Sequence, residues 1–167
     1  NVGIVGAINV TLRLTDTQQA PLNVDAVSGK SINAIRVFNG QGLLVWGART
    51  LDGNSDDWRY VQVRRTLIYI EQSVRQALQA FVFAPNDANT WSAVQGMIGN
   101  FLTGLWSQGG LQGASAAEAF SVSVGLGRTM TAQDILDGRM RVTLELAVTH
   151  PAEFIVVTIE QQMASPD

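Results

Sequence analysis

A single histidine, His150, stands directly before Pro151, and the chain holds no cysteine. Any nucleophile–histidine–acid set would have to run through that one imidazole. Thiolate nucleophiles, thiolate metal sites and disulfides are excluded. A His before Pro reads as a turn residue between two strands. Three other patterns begin like sites and stop short. Gly40-Gln41-Gly42 opens like a dinucleotide fingerprint, but Val45 stands where the third glycine belongs, and strand-like runs flank it on both sides. Asp52-Gly53-Asn54-Ser55-Asp56-Asp57 opens like a calcium loop, yet Asp57 takes the glycine position and Val63 that of the closing glutamate. An exposed acidic turn is the better reading. Gly113-Ala114-Ser115 lacks the last glycine of a nucleophile elbow, and Ser115 with Glu118 reads as a capping box. Arg64-Arg65 would suit a phosphate, but arginines on the polar side of a helix are ordinarily paired or solvated. Trp46, Trp58, Trp91 and Trp106 read as core or interface anchors rather than a base-stacking platform. The expectation is no catalytic residue, no cofactor and no metal.

Composition narrows the alternatives. At 167 residues the chain is one domain, or one domain with extensions. Hydrophobic residues make up 46%, enough for a core without staples. Charged residues are only 15%, against a usual ~25%, which suggests that a partner covers part of the surface. Net charge is −3, Lys30 is the sole lysine and no basic run exists, so no nucleic-acid partner is expected. No apolar run approaches the ~20 residues of a span, so no membrane anchoring is expected. The chain opens at Asn1 without Met, and a preceding part is expected.

The elements that would position any site follow from periodicity. Asn1–Val10 reads as an apolar strand, and Thr11–Lys30 as a polar linker or extended arm. Ile32–Phe38 and Gly42–Ala48 form a hairpin across Asn39-Gly40-Gln41. Within 58–83, Val63, Leu67, Ile70, Val74, Ala77, Leu78 and Phe81 recur at helical spacing. Phe81–Phe83 is expected to become a short strand ended by Pro85. Asn86–Asn89 caps a second long helix with Trp91, Val94, Ile98, Phe101, Leu102 and Leu105 on one face. Its Gly96, Gly99 and Gly104 suggest close packing, and Gly109-Gly110 ends it. Phe120–Val124 alternates as a strand, and Thr131–Asp134 starts a short helix that Asp137-Gly138 stops. Arg139–Val148 is the clearest strand, with Met140, Val142, Leu144, Leu146 and Val148 facing one way. Phe154–Glu160 is a last apolar strand. The order implies an α+β fold, two long helices packed on a mixed or antiparallel sheet.

Both ends are then apolar strands beside polar stretches. They either pair inside their own sheet or add to a neighbour's. The residues concerned are Val2, Ile4, Val5, Ile8 and Val10 at one end, and Phe154, Ile155, Val156, Val157 and Ile159 at the other.

Several strings carry a resemblance. Ile32-Asn33-Ala34-Ile35-Arg36-Val37-Phe38-Asn39-Gly40-Gln41-Gly42 precedes Val45-Trp46-Gly47-Ala48-Arg49-Thr50-Leu51. Trp58-Arg59-Tyr60-Val61-Gln62-Val63-Arg64-Arg65 follows, then Phe83-Ala84-Pro85-Asn86-Asp87, Asp137-Gly138-Arg139 and Pro151-Ala152-Glu153-Phe154. Collinear over nearly the whole chain, they resemble the conserved C-terminal domain of contractile phage-tail sheath proteins, which myophages, R-type pyocins and extracellular contractile injection systems share.

The resemblance implies a structural subunit and not an enzyme. It would polymerise with itself into stacked hexameric rings around an inner tail tube protein, with baseplate and terminator proteins as further partners. Such sheaths would assemble in the bacterial cytoplasm and end in a virion tail or a released extracellular particle. It also implies terminal arms that complete neighbouring sheets, an N-terminal arm and linker over 1–31, a core over 32–152 and a C-terminal arm over 153–167. Arg49, Arg59, Arg64, Arg65, Arg139 and Arg141 are then expected as interface charges, with Asp52, Asp56, Asp57 and Glu145 as partners. The Thr131–Asp137 helix is the expected tube contact, and truncation after Ala152 is expected to leave a folded domain that cannot polymerise. His150 departs from the family, which often has Arg there, and so does the Val27-Ser28-Gly29-Lys30 link. A tube or terminator subunit forming non-contractile rings, or a small-molecule-binding enzyme, are the alternatives.

Overall fold

The computed structural model describes residues 1–153 together with 156 and 157. The expected hairpin forms as strand β2 (Ala34–Phe38) and strand β3 (Gly42–Trp46), paired antiparallel from Phe38↔Gly42 to Ala34↔Trp46. Gly40 and Gly42 hold the turn at φ 77° and 79°, values that favour glycine because it has no Cβ. A short strand, β1 (Val2–Gly3), lies on the other side of β3, with Val2↔Val45 and Gly3↔Leu44.

Several parts differ from the sequence reading, and the run Asn1–Val10 is strand only over Val2–Gly3. The stretch read as linker contains helix α1 (Asp16–Asn23). Thr15 and Gln18 form a capping box, and Arg36 reaches from β2 to Asp16 at 2.8 Å and to the buried Gln19. The capping residues outweigh the polar composition and the internal Pro21. The run Phe81–Phe83 is no strand: a 3-10 turn (Gln79–Phe81) closes the preceding helix, and a tight turn follows.

The core is built by helix α2 (Val61–Leu78), helix α3 (Ala88–Ser107) and a second antiparallel sheet. Asp87 caps α3 by accepting from the Thr90 N–H at 3.0 Å. Val63, Ile70 and Val74 from α2 meet Val94, Ile98 and Leu102 from α3, the latter three almost fully buried. A short helix α4 (Ala116–Ala119) leads into strand β4 (Phe120–Val124). Only part of its expected capping box forms: Glu118 accepts from the Ala114 N–H and the Ser115 hydroxyl, while Ser115 caps nothing. Helix α5 (Ala132–Leu136) has its full capping box from Thr131 and Asp134. Strand β5 (Val142–Leu146) pairs with β4 from Val124↔Val142 to Phe120↔Leu146. Val142, Leu144 and Leu146 turn inward while Thr143 and Glu145 face solvent. The fold is α+β, and among the described residues its strands form two antiparallel sheets.

The glycines of α3 do not serve close packing among the described residues. A Cβ built at Gly96, Gly99 or Gly104 meets nothing within 4 Å. Gly96→Ala is therefore expected to stabilise the subunit by ~1 kcal/mol through helix propensity alone. A thermal melt should show a Tm rise of ~2–4 °C, and a fall would mean that the position is packed.

Candidate functional site

Beyond β3 the chain makes a second, looser pairing. Thr50 N donates to Arg59 O at 2.6 Å and Val61 N to Ala48 O at 2.9 Å, which sets Arg49 opposite Tyr60. Asn33 reinforces it: its side-chain oxygen accepts from Arg49 N at 3.0 Å and its Nδ2 donates to Arg49 O at 2.8 Å. Gly47 permits this approach, since a Cβ there would lie 3.0 Å from Asn33 Cα and the backbone is at φ 152°.

The side chains of Arg49 and Tyr60 converge on Glu153. Arg49 Nε donates to Glu153 Oε1 at 2.9 Å and Nη2 to Oε2 at 2.8 Å, a two-pronged pair of the strong kind. Nη1 donates to the Gly53 carbonyl at 2.8 Å, and the Tyr60 hydroxyl to Glu153 Oε2 at 2.8 Å. Arg49 is 7% exposed and the Glu153 side chain 22%. Burial works to raise the Glu153 carboxyl, but the hydrogen bonds from Arg49 and Tyr60 and the charges of Arg49 and Arg59 outweigh it and hold the group below its usual range. Burial, then the bond to Glu153, pushes the Tyr60 phenol up. The residues before Glu153 are also tied down. Val148 bridges to Leu111, Thr149 Oγ1 donates to Gly109 O at 3.1 Å, and the His150 ring stands edge-on to Tyr60 at 6.2 Å.

This cluster is a buckle. It fastens residues 148–153 to the body of the domain and leaves the chain beyond Glu153 to start from a fixed point. Its geometry offers no nucleophile and no open coordination site. Among the described residues no group of three His, Cys, Asp or Glu is placed to hold a metal ion. A Cβ on Gly53 would press on the Ser31 hydroxyl and lie 2.9 Å from Ser31 Cβ and 3.2 Å from Gly29 O. Gly53→Ala should therefore cost about 1–3 kcal/mol by overpacking, read as a lower urea midpoint. An unchanged midpoint would mean that the loop shifts freely and does not brace Arg49.

The other expected site residues are scattered. Arg49, expected as an interface charge, is buried and paired with Glu153 within its own chain. Arg59 pairs with Asp56, Arg139 with Asp137 at 3.7 Å, and Arg141 with Asp134 at 2.9 Å. Asp134 is lowered to about 2, first by the Thr131 backbone N–H and then by Arg141. Arg64 lies over the Trp58 ring at 4.7 Å, and Arg65 is exposed. At the N-terminal end Val2 and Gly3 pair with their own β3, and Ile4 N donates to Leu43 O at 2.9 Å, so this end adds to its own sheet. The open edge of β3 lies beside it in the same chain, which makes that pairing local. Ile4 and Val10 are half-buried, while Val5 and Ile8 are fully exposed. At the other end Val156 and Val157 are exposed, and Phe154, Ile155 and Ile159 lie outside the described residues. Sequence reasoning missed Glu153, Tyr60, Asn33 and Gly53 as one unit. Arg49 and Glu153 are 104 positions apart, and no spacing rule reaches that far.

A second feature is an open, largely apolar groove of about 480 Å³ between α2 and β5, with Leu67, Ile68, Val74 and Leu78 on one wall and Val142, Leu144 and Leu146 on the other.

Comparison with known proteins gives a consistent result. The family model described as phage tail sheath C-terminal domain matches residues 54–162. No curated protein matches the chain. Three solved structures are similar over almost all of it. The anti-feeding prophage baseplate has a TM-score of 0.88 and 45% identity, covering 98% of this chain and 44% of that one. The PVC sheath complex of an extracellular contractile injection system, in its contracted state, has a TM-score of 0.90 and 41% identity, covering 97% and 44%. The contracted helical sheath of the anti-feeding prophage has a TM-score of 0.87 and 44% identity, again covering 97% and 44%. The chain thus spans under half the length of the chains it matches.

Proposed function

Because this chain belongs to the phage tail sheath C-terminal domain family, we propose that it is the conserved part of a structural subunit of a contractile sheath. The subunit polymerises into stacked hexameric rings around an inner tube and contracts to drive the tube through a target envelope. The observation that carries this reading is the TM-score of 0.90 at 41% identity, over 97% of the chain, to a sheath in its contracted state. Stored conformational energy supplies the work, through rigid-body repacking of a bistable interface, without a nucleotide or an active site. The similarity to a baseplate structure supports a baseplate partner. A tube protein and a terminator complete the assembly, which forms in the bacterial cytoplasm.

Residues 32–152 are the core. Residues 153–167 are the arm lent to a neighbour, with Phe154, Ile155, Val156, Val157 and Ile159 as its pairing strand and the buckled Glu153 as its root. Residues 1–31 are the N-terminal arm and linker, of which Val2 and Gly3 lie along β3 of their own chain. Helix α5, which leaves Leu136 80% exposed, is the surface for the tube. Arg59, Arg64, Arg65, Arg139 and Arg141 are the charges that exchange partners on contraction.

The test is electron microscopy of the full-length subunit, alone and with purified inner tubes. Hollow striated tubes that shorten on triggering are the expected result. Flat rings that stack without shortening would identify a tube or terminator protein, and dispersed monomers even with tubes would end the sheath reading.

A further inference from the structure

The turn after α2 breaks a rule of local chemistry. Ala84 N donates to Phe81 O at 3.0 Å, Val82 sits at φ −63°, ψ 129°, and Phe83 at φ 68°. That is a type II turn, whose third residue must accept positive φ and is ordinarily Gly or Asn. Among the described residues Phe83 is the sole non-glycine at positive φ. Its ring finds no compensation within the chain: Phe83 is 102% exposed and Val82 60%. Backbone strain and an aromatic ring in water thus coincide at one position. A residue that breaks a local rule with no return inside its own fold directs attention to a return outside it.

The same molecule carries a receptor of matching chemistry. The α2–β5 groove is apolar in its walls, and Ile68 on its rim is 42% exposed. Its rim is basic on balance, with Arg64 and Arg75 against Glu71. Arg64 has no carboxylate partner among the described residues, whereas the segment that continues from Phe83 carries Asp87. A knob and a hole at different places on one surface can join copies head to tail, a heterologous contact that builds closed rings or open helical arrays. A ring of this size buried in such a groove is the usual kind of interface anchor.

We propose that Val82 and Phe83 of one copy insert into the α2–β5 groove of a second copy, forming a lattice contact separate from the C-terminal arm. This rests on the reading of the chain as a sheath subunit.

These 167 residues hold no cysteine, and any cysteine elsewhere in the full-length subunit is replaced by serine for the test. Full-length subunits carrying Val82→Cys, which keeps the Phe83 ring, and Ile68→Cys are prepared separately, co-assembled and oxidised. A dimer-sized band on a non-reducing gel, from the mixture and from neither variant alone, is expected. Sheaths visible by microscopy without that band overturn the contact. So does a double variant that closes its disulfide within one chain. Wild-type protein that forms no sheaths overturns the sheath reading and this contact with it. Phe83→Gly separates assembly from folding. The unassembled subunit should keep its Tm or gain ~2–4 °C, while sheath yield falls at least about tenfold, the scale expected for a lost aromatic anchor. A Tm loss of that size would make the ring a support of its own fold, and undiminished assembly would make it idle; either result ends the proposal.

Discussion

Arg49→Ala will lower the stability of the subunit by about 3 kcal/mol, the lower end of the range for breaking a buried ion pair from one side. The lower end applies because Glu153 keeps 22% of its side-chain surface in water. The loss arises less from the missing attraction than from what stays behind. Glu153 would keep only the Tyr60 hydroxyl, and the Gly53 carbonyl would lose its donor. Arg49→Lys keeps the charge but not the fork, and should cost less than the alanine variant and more than nothing. Exchanging both partners for apolar residues, Arg49→Met with Glu153→Leu, should recover part of the loss, because no charge is then stranded.

The acid dependence gives a second check. The carboxyl of Glu153 is held below its ordinary value in the folded chain. Its contribution is therefore complete above the unfolded value of ~4.3 and drains away as pH falls through the lowered folded value. Urea unfolding of wild type and Arg49→Ala should differ fully at pH 6 and converge progressively as pH falls from the unfolded value through the lowered folded one. A gap that stays constant into acid would show that packing of the arginine, and not its pairing with Glu153, is what the variant loses.

Ending the full-length subunit after Glu153 will abolish polymerisation and leave a monomer that melts like wild type. Ending it one residue earlier, after Ala152, will abolish polymerisation and also destabilise the monomer by about the same 3 kcal/mol as Arg49→Ala. Sequence reading placed the cut after Ala152 and expected an intact domain. The buckle moves it by one residue, because Glu153 belongs to the body electrostatically and the proposed arm begins after it. Sedimentation and electron microscopy read the first effect, and circular dichroism melts the second. Sheaths formed by the Glu153-ended protein would remove the arm assignment. Equal melting of the two truncations would remove the anchoring role of Glu153.

These two experiments touch what the sequence could and could not disclose. The hairpin at Asn39-Gly40, the cap at Asp87, the stripe Val63–Ile70–Val74 and the alternation Val142–Leu144–Leu146 were all readable. Each is a local signal, set within a few residues by turn chemistry or by a period of 2 or 3.6. The helix over Asp16–Asn23 was readable too, through Thr15 and Gln18, but a polar composition and Pro21 hid it. Phe83 matched a family string, yet nothing in that string announced a left-handed backbone or a ring with no neighbour.

Local signals in the chain thus set most of its helices and strands, though not α1 or the turn at Phe81–Phe83, along with the apolar faces and the family, because these depend on neighbours in the chain. Tertiary structure alone decided three further matters. It took Val2 and Gly3 into their own sheet, since the free edge of β3 lay within reach. It spent Arg49 on Glu153, since burial leaves a guanidinium little choice but the carboxylate brought beside it. And it left Phe83 and the α2–β5 groove open on the surface. Pairing across a hundred residues depends on where chain segments meet in space, and no periodicity along the chain records that meeting.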